Sequence, residues 1–251
     1  MTAPAIETRG LRKNFGALMV ANGIDFALEA GARHALIGPN GAGKTTFVNL
    51  VSGALSPSAG RILLGGEDVT RLTQAPRVKR GLVRTFQITM LFRGLSVLEN
   101  VALAIGEHAG LAGDLLRPAG TRSGVVERAY AMLERLDLAD DAARPVRELP
   151  YGRQRLVEIA VALGLEPRVL LLDEPAAGVP GDESGIIIET IESLPADIAV
   201  LIIEHDMDLV FRIARRITVL VQGAVLVEGP PAEIAADARV RQVYLGEREH
   251  A

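Results

Sequence analysis

Gly38-Pro-Asn-Gly-Ala-Gly43-Lys44-Thr45 sets three glycines around one cation and one hydroxyl. Glycines at this spacing let the backbone curl until successive N–H groups point inward. The apolar run His34-Ala-Leu-Ile37 leads into the segment, and a helix beginning near Thr45 leads out of it. In that setting the loop and the helix N-terminus cradle phosphate oxygens, Lys44 reaches the β- and γ-phosphates, and the Thr45 hydroxyl can ligate Mg²⁺. An ordinary glycine-rich turn is the alternative, and the flanking strand and helix favour nucleotide binding over it.

Two acids supply a second chemistry. Leu170-Leu-Leu172 is an apolar strand ending in Asp173-Glu174. A carboxylate at the carboxyl end of a parallel strand faces the crevice where ligands of open α/β sheets bind. Asp173 can there hold Mg²⁺ through water, and Glu174 can polarise an attacking water. Taken alone, Asp-Glu-Pro is equally well read as the end of a strand; the glycine loop upstream tips the balance toward function. His205 follows the apolar run Val200–Ile203 and Glu204, again at a strand end, where a γ-phosphate contact is useful. His34, His108 and His250 read as solvated or structural. Gln87, after a strand and at the entry to a helical stretch, can couple nucleotide to that stretch through Mg²⁺ or water. Leu149-Pro150-Tyr151-Gly152-Arg153-Gln154 precedes a helix and offers a second N-terminus to phosphate.

These residues must be carried by an alternating α/β scaffold. Strands are expected at Ile24–Glu29, His34–Ile37, Arg61–Leu64 and Leu82–Phe86. Ser96-Val-Leu-Glu99 is a capping box, so a helix should start there and run to about Ile105. Gly106, Gly110, Gly113, Gly120 and Gly124 mark a mobile loop, and Val125–Leu138 has one apolar face at helical spacing. Gln87 to Leu149 therefore reads as a mainly helical insertion. Beyond it come a helix over Arg153–Glu166, a strand over Val169–Leu172 apolar enough for burial on both faces, and a helix near Glu183–Ser193. A strand over Ile198–Ile203, a helix from about Asp206 and a hairpin over Ile217–Glu228 complete the pattern.

Composition narrows the classes. The chain has 251 residues, 49% hydrophobic and 23% charged, the profile of a folded domain with capacity for a large core. It has no cysteine, which removes disulfides, thiolate metal sites and a cysteine nucleophile. With 27 basic against 31 acidic residues and no basic run, no electrostatic grip on nucleic acid is expected. The first residues do not form a signal peptide, and no apolar stretch approaches the ~20 residues of a membrane span, so a membrane role has to come through a partner.

Gly38–Thr46, Gln87, Leu149–Gln154, Val169–Glu174 and His205 occur in the order and spacing of the ATP-binding subunits of ABC transporters, and the chain resembles them over nearly its whole length. Val83-Arg-Thr-Phe86-Gln87, Leu91-Phe92-Arg93, Pro175-Ala-Ala-Gly178 and Val243-Tyr-Leu-Gly246-Glu247 look most like the branched-chain amino acid importers. Relatives serving urea or lipopolysaccharide export are similar.

The resemblance implies an α/β fold: a RecA-like P-loop core with an N-terminal antiparallel β portion and an inserted helical subdomain. One ABC ATPase domain would span residues 1–251, with 1–86 and 150–251 as nucleotide-binding core and 87–149 as the helical part. It implies ATP and Mg²⁺ as ligands. Phe15 would stack on adenine, the alternative being a core Phe. Gly38, Pro39, Asn40, Gly41, Ala42, Gly43, Lys44, Thr45 and Thr46 would hold phosphate, and Thr45, Gln87 and Asp173 the metal. Gln87 would also link to the helical lobe, Glu174 would be the catalytic base and His205 the switch histidine. Leu149, Pro150, Tyr151, Gly152, Arg153 and Gln154 match the signature that contacts the γ-phosphate on an opposite subunit. Implied partners are a second ATPase subunit, preferably a different one, and transmembrane permease subunits, on the cytoplasmic face of the inner membrane.

Three positions depart from the family pattern. Pro150 stands where the common signature has a serine, removing a hydroxyl and an N–H, and Tyr151 replaces a glycine; Pro180 stands where many relatives carry Asp. A nucleotide-binding switch with little hydrolysis is therefore the rival expectation.

Overall fold

A computed structural model of the chain describes residues 3–85, 91–111 and 123–246. In chain order the elements begin with β1 (Ile6–Phe15), β2 (Leu18–Leu28), β3 (Arg33–Ile37), α1 (Lys44–Ser52), β4 (Ala59–Leu64), β5 (Glu67–Asp68), α2 (Gln74–Val78) and β6 (Leu82–Arg84). Helices α3 (Val97–His108), α4 (Ser123–Arg135) and α5 (Tyr151–Gly164) follow, then β7 (Val169–Asp173), α6 (Gly181–Glu192) and β8 (Ala199–Ile203). The chain continues through α7 (Met207–Ile213), β9 (Arg216–Val221), β10 (Ala224–Gly229), α8 (Pro231–Ala236) and α9 (Ala238–Gly246). Two compact units result: Met1–Leu82 with Arg168–Glu174 and Pro195–Ala251, and Val83–Pro167 with Pro175–Leu194.

In the first unit, the described residues build an antiparallel sheet in the order β2-β1-β4-β5 and a larger sheet in the order β10-β9-β3-β8-β7-β6. In the larger sheet β3, β7, β8 and β9 run parallel, and β10 closes as an antiparallel hairpin on β9. Both faces of this sheet are covered, and the period of two sorts β3 between them. Leu36 joins a core with Phe47, Val48, Leu50 and Val51 of α1 and with Ile6, Leu11, Ile24 and Ile62 of the antiparallel sheet. Ala35 and Ile37 join a second core with Val210, Ile217, Val219, Ile234 and Val240. Helix α1 thus lies between two sheets, which explains why its apolar residues are buried.

The β1 strand escapes sequence reading because it is irregular. Its register against β2 shifts between Thr8 and Leu11, where Gly10 takes a left-handed φ of 54°, and the bulge breaks the alternation that marks a strand. The C-terminal helices α8 and α9 are likewise absent from the expectation, since at six and nine residues each is too short to show a helical period.

In the second unit, α3 begins as expected. Ser96 Oγ accepts from Glu99 N at 3.2 Å while Ser96 N donates to Glu99 Oε2 at 2.7 Å, so both halves of the capping box form. The helix continues past Ile105 to His108, taking Gly106 into it, and Gly124 lies inside α4; neither marks a loop. A Cβ on either would meet open space, so each is tolerated in a helix at roughly 1 kcal/mol. Helix α4 stops at Arg135, short of Leu138, as Asp137 turns left-handed with φ 56°. Residues 112–122, expected to form the loop, lie outside the described ones.

Candidate functional site at the carboxyl edge of the parallel sheet

The register of the parallel sheet decides where the chemistry-bearing residues meet. Leu36 of β3 pairs with Ile203 of β8, and Ile203 pairs with Asp173 of β7. The three strands therefore end at the same edge, and the residues that follow them are Gly38, Glu204-His205 and Glu174. Segments far apart in sequence become neighbours in the order glycine loop, His205, acid pair, as the crevice rule for open α/β sheets requires.

At the first of these ends the chain turns through the glycine loop into α1. Gly38, Gly41 and Gly43 have φ of 154°, 75° and 101°, values that exclude most side chains. At two of them space forbids a side chain as well: a Cβ on Gly38 would stand 2.2 Å from the Leu220 carbonyl oxygen, and one on Gly43 2.7 Å from that of Val20. Gly43 caps α1 without any side-chain bond, and the first backbone bond of the helix runs from Phe47 N to Gly43 O at 2.8 Å. The amides of Thr45 and Thr46 are therefore directed out of the helix end, a donor set that fits an anion. Lys44 Nζ folds back over the loop, donating to the carbonyls of Gly38 and of Pro39, the latter at 3.0 Å.

Sequence reasoning missed what holds α1 from its far end. Arg77, buried in the core, donates from Nη1 to Leu50 O at 2.8 Å and Val51 O at 2.6 Å, from Nε to Leu72 O at 3.0 Å and from Nη2 to Thr70 O at 3.2 Å. Leu50 and Val51 belong to the last turn of α1, so a guanidinium complements the negative end of the helix whose positive end adjoins the glycine loop. Burial pulls the Arg77 pKa down to about 10, which leaves it charged at neutral pH. Read as sequence, Arg77 is one arginine in a polar stretch with no motif around it.

Asp173 is the last residue of β7 and is buried. Glu174 then takes a left-handed φ of 48°, rare for a residue with a side chain, while its N–H donates to Ile203 O at 2.9 Å. The left-handed turn bends the chain directly after Asp173. His205 Nδ1 lies 3.6 Å from Glu174 Oε1 and 3.8 Å from Glu204 Oε2, with the imidazole largely exposed. Glu204, 2% exposed, accepts from His205 N at 3.0 Å and Asp206 N at 3.4 Å and so shapes the turn that presents His205. An acid directly after a fully apolar strand was the available signal for Glu204. Asp206 caps α7 with bonds from Asp208 N and Leu209 N. Thr45 and Asp173 are hard oxygen donors of the kind Mg²⁺ prefers, so the donor set fits that ion.

Phe15 closes β1 at the hairpin with Leu18, half exposed at 50% and outside the core, with Lys13 Nζ 5.2 Å from its ring centre. Gln87 lies outside the described residues, as do Ile88, Thr89 and Met90.

The segment 149–154 belongs to the second unit. Pro150 is the N-cap of α5 and makes no side-chain bond, and Leu149 is buried. Gln154 Nε2 donates to Leu149 O at 2.8 Å, and Arg153 binds Asp141 through Nε and Asp137 O through Nη2 at 2.6 Å, so both side chains tie down the chain that enters the helix. Tyr151 is partly exposed, with the Arg155 guanidinium 5.2 Å from its ring centre. The Gly152 amide donates to Glu183 Oε2 at 3.1 Å.

An ABC transporter family model matches residues 21–177, spanning the glycine loop and the Asp173-Glu174 pair. The chain belongs to the ABC transporter family. It is an ATP-binding cassette, an ATPase coupled to transport. A second model, for branched-chain amino acid ATP-binding cassette transporters, matches residues 224–250. The cassette is 40% identical to the high-affinity branched-chain amino acid transport ATP-binding protein BraF of Pseudomonas aeruginosa, over 98% of this chain and all of that protein. Against the Escherichia coli K12 protein LivG, described in the same words, identity is 39% with the same coverage. Among solved structures, an ATP-binding cassette of an ABC transporter in its ADP conformation superposes with a TM-score of 0.87 at 31% identity, covering 98% of this chain and 100% of that one. A nucleotide-free cassette gives 0.85 at 31% identity, covering 96% and 98%.

Proposed function

We propose that this cassette is the ATP-hydrolysing subunit of an importer for branched-chain or related amino acids, attached to transmembrane permease subunits at the cytoplasmic face of the membrane. The observation that carries the reading is the shared edge of β3, β8 and β7, which gathers a phosphate cradle, an acid pair and a histidine in one unit. The substrate class rests on BraF and LivG, which match the chain from end to end.

In this reading Phe15 offers its exposed ring to the base, and the amides of the Gly38–Thr46 loop with Lys44 bind the phosphates. Thr45, Asp173 and Gln87 would hold Mg²⁺, which when bound neutralises charge across the β- and γ-phosphates. Glu174 accepts a proton from the attacking water as general base, and His205 steadies Glu174 and meets the terminal phosphate. The Leu149–Gln154 signature faces nucleotide on a second cassette, and a helical subdomain interrupting the core links hydrolysis to the permease. Because Pro150 supplies neither hydroxyl nor N–H, pairing with a different cassette that carries a fuller signature suits this chain. The same proline favours a second reading, a nucleotide-binding switch with little turnover.

Turnover in the assembled transporter separates the two. The parent should hydrolyse ATP faster when a branched-chain amino acid is supplied with its capture protein. Glu174→Gln should retain ATP binding and lose activity by about 100-fold or more, the usual worth of a general base. Parent turnover no faster than that of the variant would establish the switch instead.

A further inference from the structure

Glu183 is the third residue of α6, yet its carboxylate serves another helix. Oε2 accepts the Gly152 N–H at 3.1 Å, at the N-terminal end of α5. That end has no cap of its own: Pro150 makes no side-chain bond, and the first backbone bond runs from Gln154 N to Pro150 O at 3.0 Å. The amides of Tyr151, Gly152 and Arg153 thus point out of the helix, and Glu183 takes the middle one. The approach depends on glycine, for a Cβ at position 152 would stand 2.3 Å from Glu183 Oε2. Lying also in the first turn of α6, the carboxylate is held by the positive ends of two helices.

An anion already fills the place where the signature is to meet a phosphate. On the reading that this end of α5 engages the terminal phosphate on a second cassette, we propose that Glu183 is a positioning residue that holds that phosphate's place, occupying the α5 N-terminus in the unpaired chain and yielding when two cassettes close on ATP. A carboxylate and a phosphate oxygen sharing one N–H would stand within a few ångströms of each other in a partly buried site, where like charges repel strongly. The flexible Glu183 side chain can swing away, whereas the amides of α5 cannot. Until then the carboxylate keeps the first turn of α5 ordered, a duty that the proline N-cap cannot perform. Each closure must therefore expel a charge from the signature, which sets a threshold of ATP below which the cassettes stay apart. Glu183→Gln keeps the shape and an acceptor oxygen without the charge; Glu183→Asp keeps the charge and shortens the reach.

The test uses the full-length chain carrying Glu174→Gln, so that nucleotide persists, and follows pairing by sedimentation against ATP concentration. Both Glu183 variants should pair at severalfold lower ATP than the Glu183 parent, while ATP affinity of the monomer, read by titration, stays within twofold. Without nucleotide, hydrogen exchange at the Gly152 amide should be faster in both variants than in the parent. Equal or weaker pairing by the variants overturns the proposal and leaves Glu183 a cap, and the absence of pairing in every variant counts against it equally. Failure of the parent to bind ATP in the monomer titration would instead strike the nucleotide reading itself. Should Glu183→Gln misfold, Glu183→Asp carries the decision alone.

Discussion

At the scale of the residue, the site depends on where single groups are made to point. Lys44, the first residue of α1, is the one cation in the Gly38–Thr46 segment, and its ammonium is held over the loop by the carbonyls of Gly38 and Pro39. A charge so placed needs no search when phosphates arrive. Lys44→Ala should weaken ATP binding by about 10- to 100-fold, the worth of one charge-assisted hydrogen bond. Isothermal titration checks it, and an unchanged affinity would remove Lys44 from the phosphate contacts. The motif residues were legible in the sequence because their chemistry is local: a glycine loop, an acid pair and a strand-end histidine announce themselves by type and spacing. Glu204 and Glu183 were not. Glu204 stands where an acid closes an apolar strand, but it acts on backbone amides of a turn, and Glu183 acts on an amide of another helix, so neither contact is written in a residue's neighbours in sequence.

Elements were legible where one period ran unbroken. The strands expected at Val169–Leu172 and Ile198–Ile203 form as Val169–Asp173 and Ala199–Ile203, buried at every position, and the capping box announced the start of α3 to the residue. The bulged β1 did not, because its alternation breaks at Gly10. Nor did the anchoring of α1, whose last-turn carbonyls are satisfied by a side chain more than twenty residues away. Arg77 ends four carbonyl groups in the core, and no neighbour in sequence indicates it. Arg77→Met, which keeps the length of the side chain and removes the donors, should cost about 3 kcal/mol, since buried acceptors are stranded. Chemical denaturation would measure the loss. Because the α1 N-terminus frames the glycine loop, ATP affinity should fall with it, and a variant as stable as the parent would show that water replaces the guanidinium.

Across the whole molecule, the first unit carries a titratable network centred on the buried His34 that ties its sheets together and sets its response to acid. His34 of β3, 1% exposed, lies 2.8 Å by Nε2 from Thr218 Oγ1 of β9, and Thr218 donates to Glu228 Oε2 of β10 at 2.6 Å. Having given its proton to Glu228, the hydroxyl can only accept from His34, so the neutral ring carries its hydrogen on Nε2. The Phe26 ring of β2 packs on the imidazole at 5.0 Å between centres, and Arg216 Nε binds Glu228 Oε1 at 2.6 Å. Burial drives the His34 pKa down to about 4, against the pull of the Glu228 charge and with a smaller push from Arg216. Burial also works to raise Glu228, but the hydrogen bonds from Thr218 and Arg216 and the nearby charges outweigh it and hold the carboxyl below its ordinary range. The sign then follows from linkage. An unfolded chain takes a proton at His34 near pH 6.5 and the folded chain only near pH 4, so between those values the unfolded state binds more protons. Stability contributed by neutral His34 is fully present above pH 6.5 and is lost as the pH falls through that window, by on the order of 3 kcal/mol at its lower end. Glu228 adds its own loss at lower pH, below the ordinary glutamate range. His34→Gln keeps a donor toward Thr218 and cannot titrate, so it should start less stable at pH 7.5 and lose much less between pH 7 and 4.5. Denaturation midpoints taken at half-unit steps would show the two curves converging on the acid side; parallel curves would mean that His34 titrates in the folded chain as it does in the unfolded one.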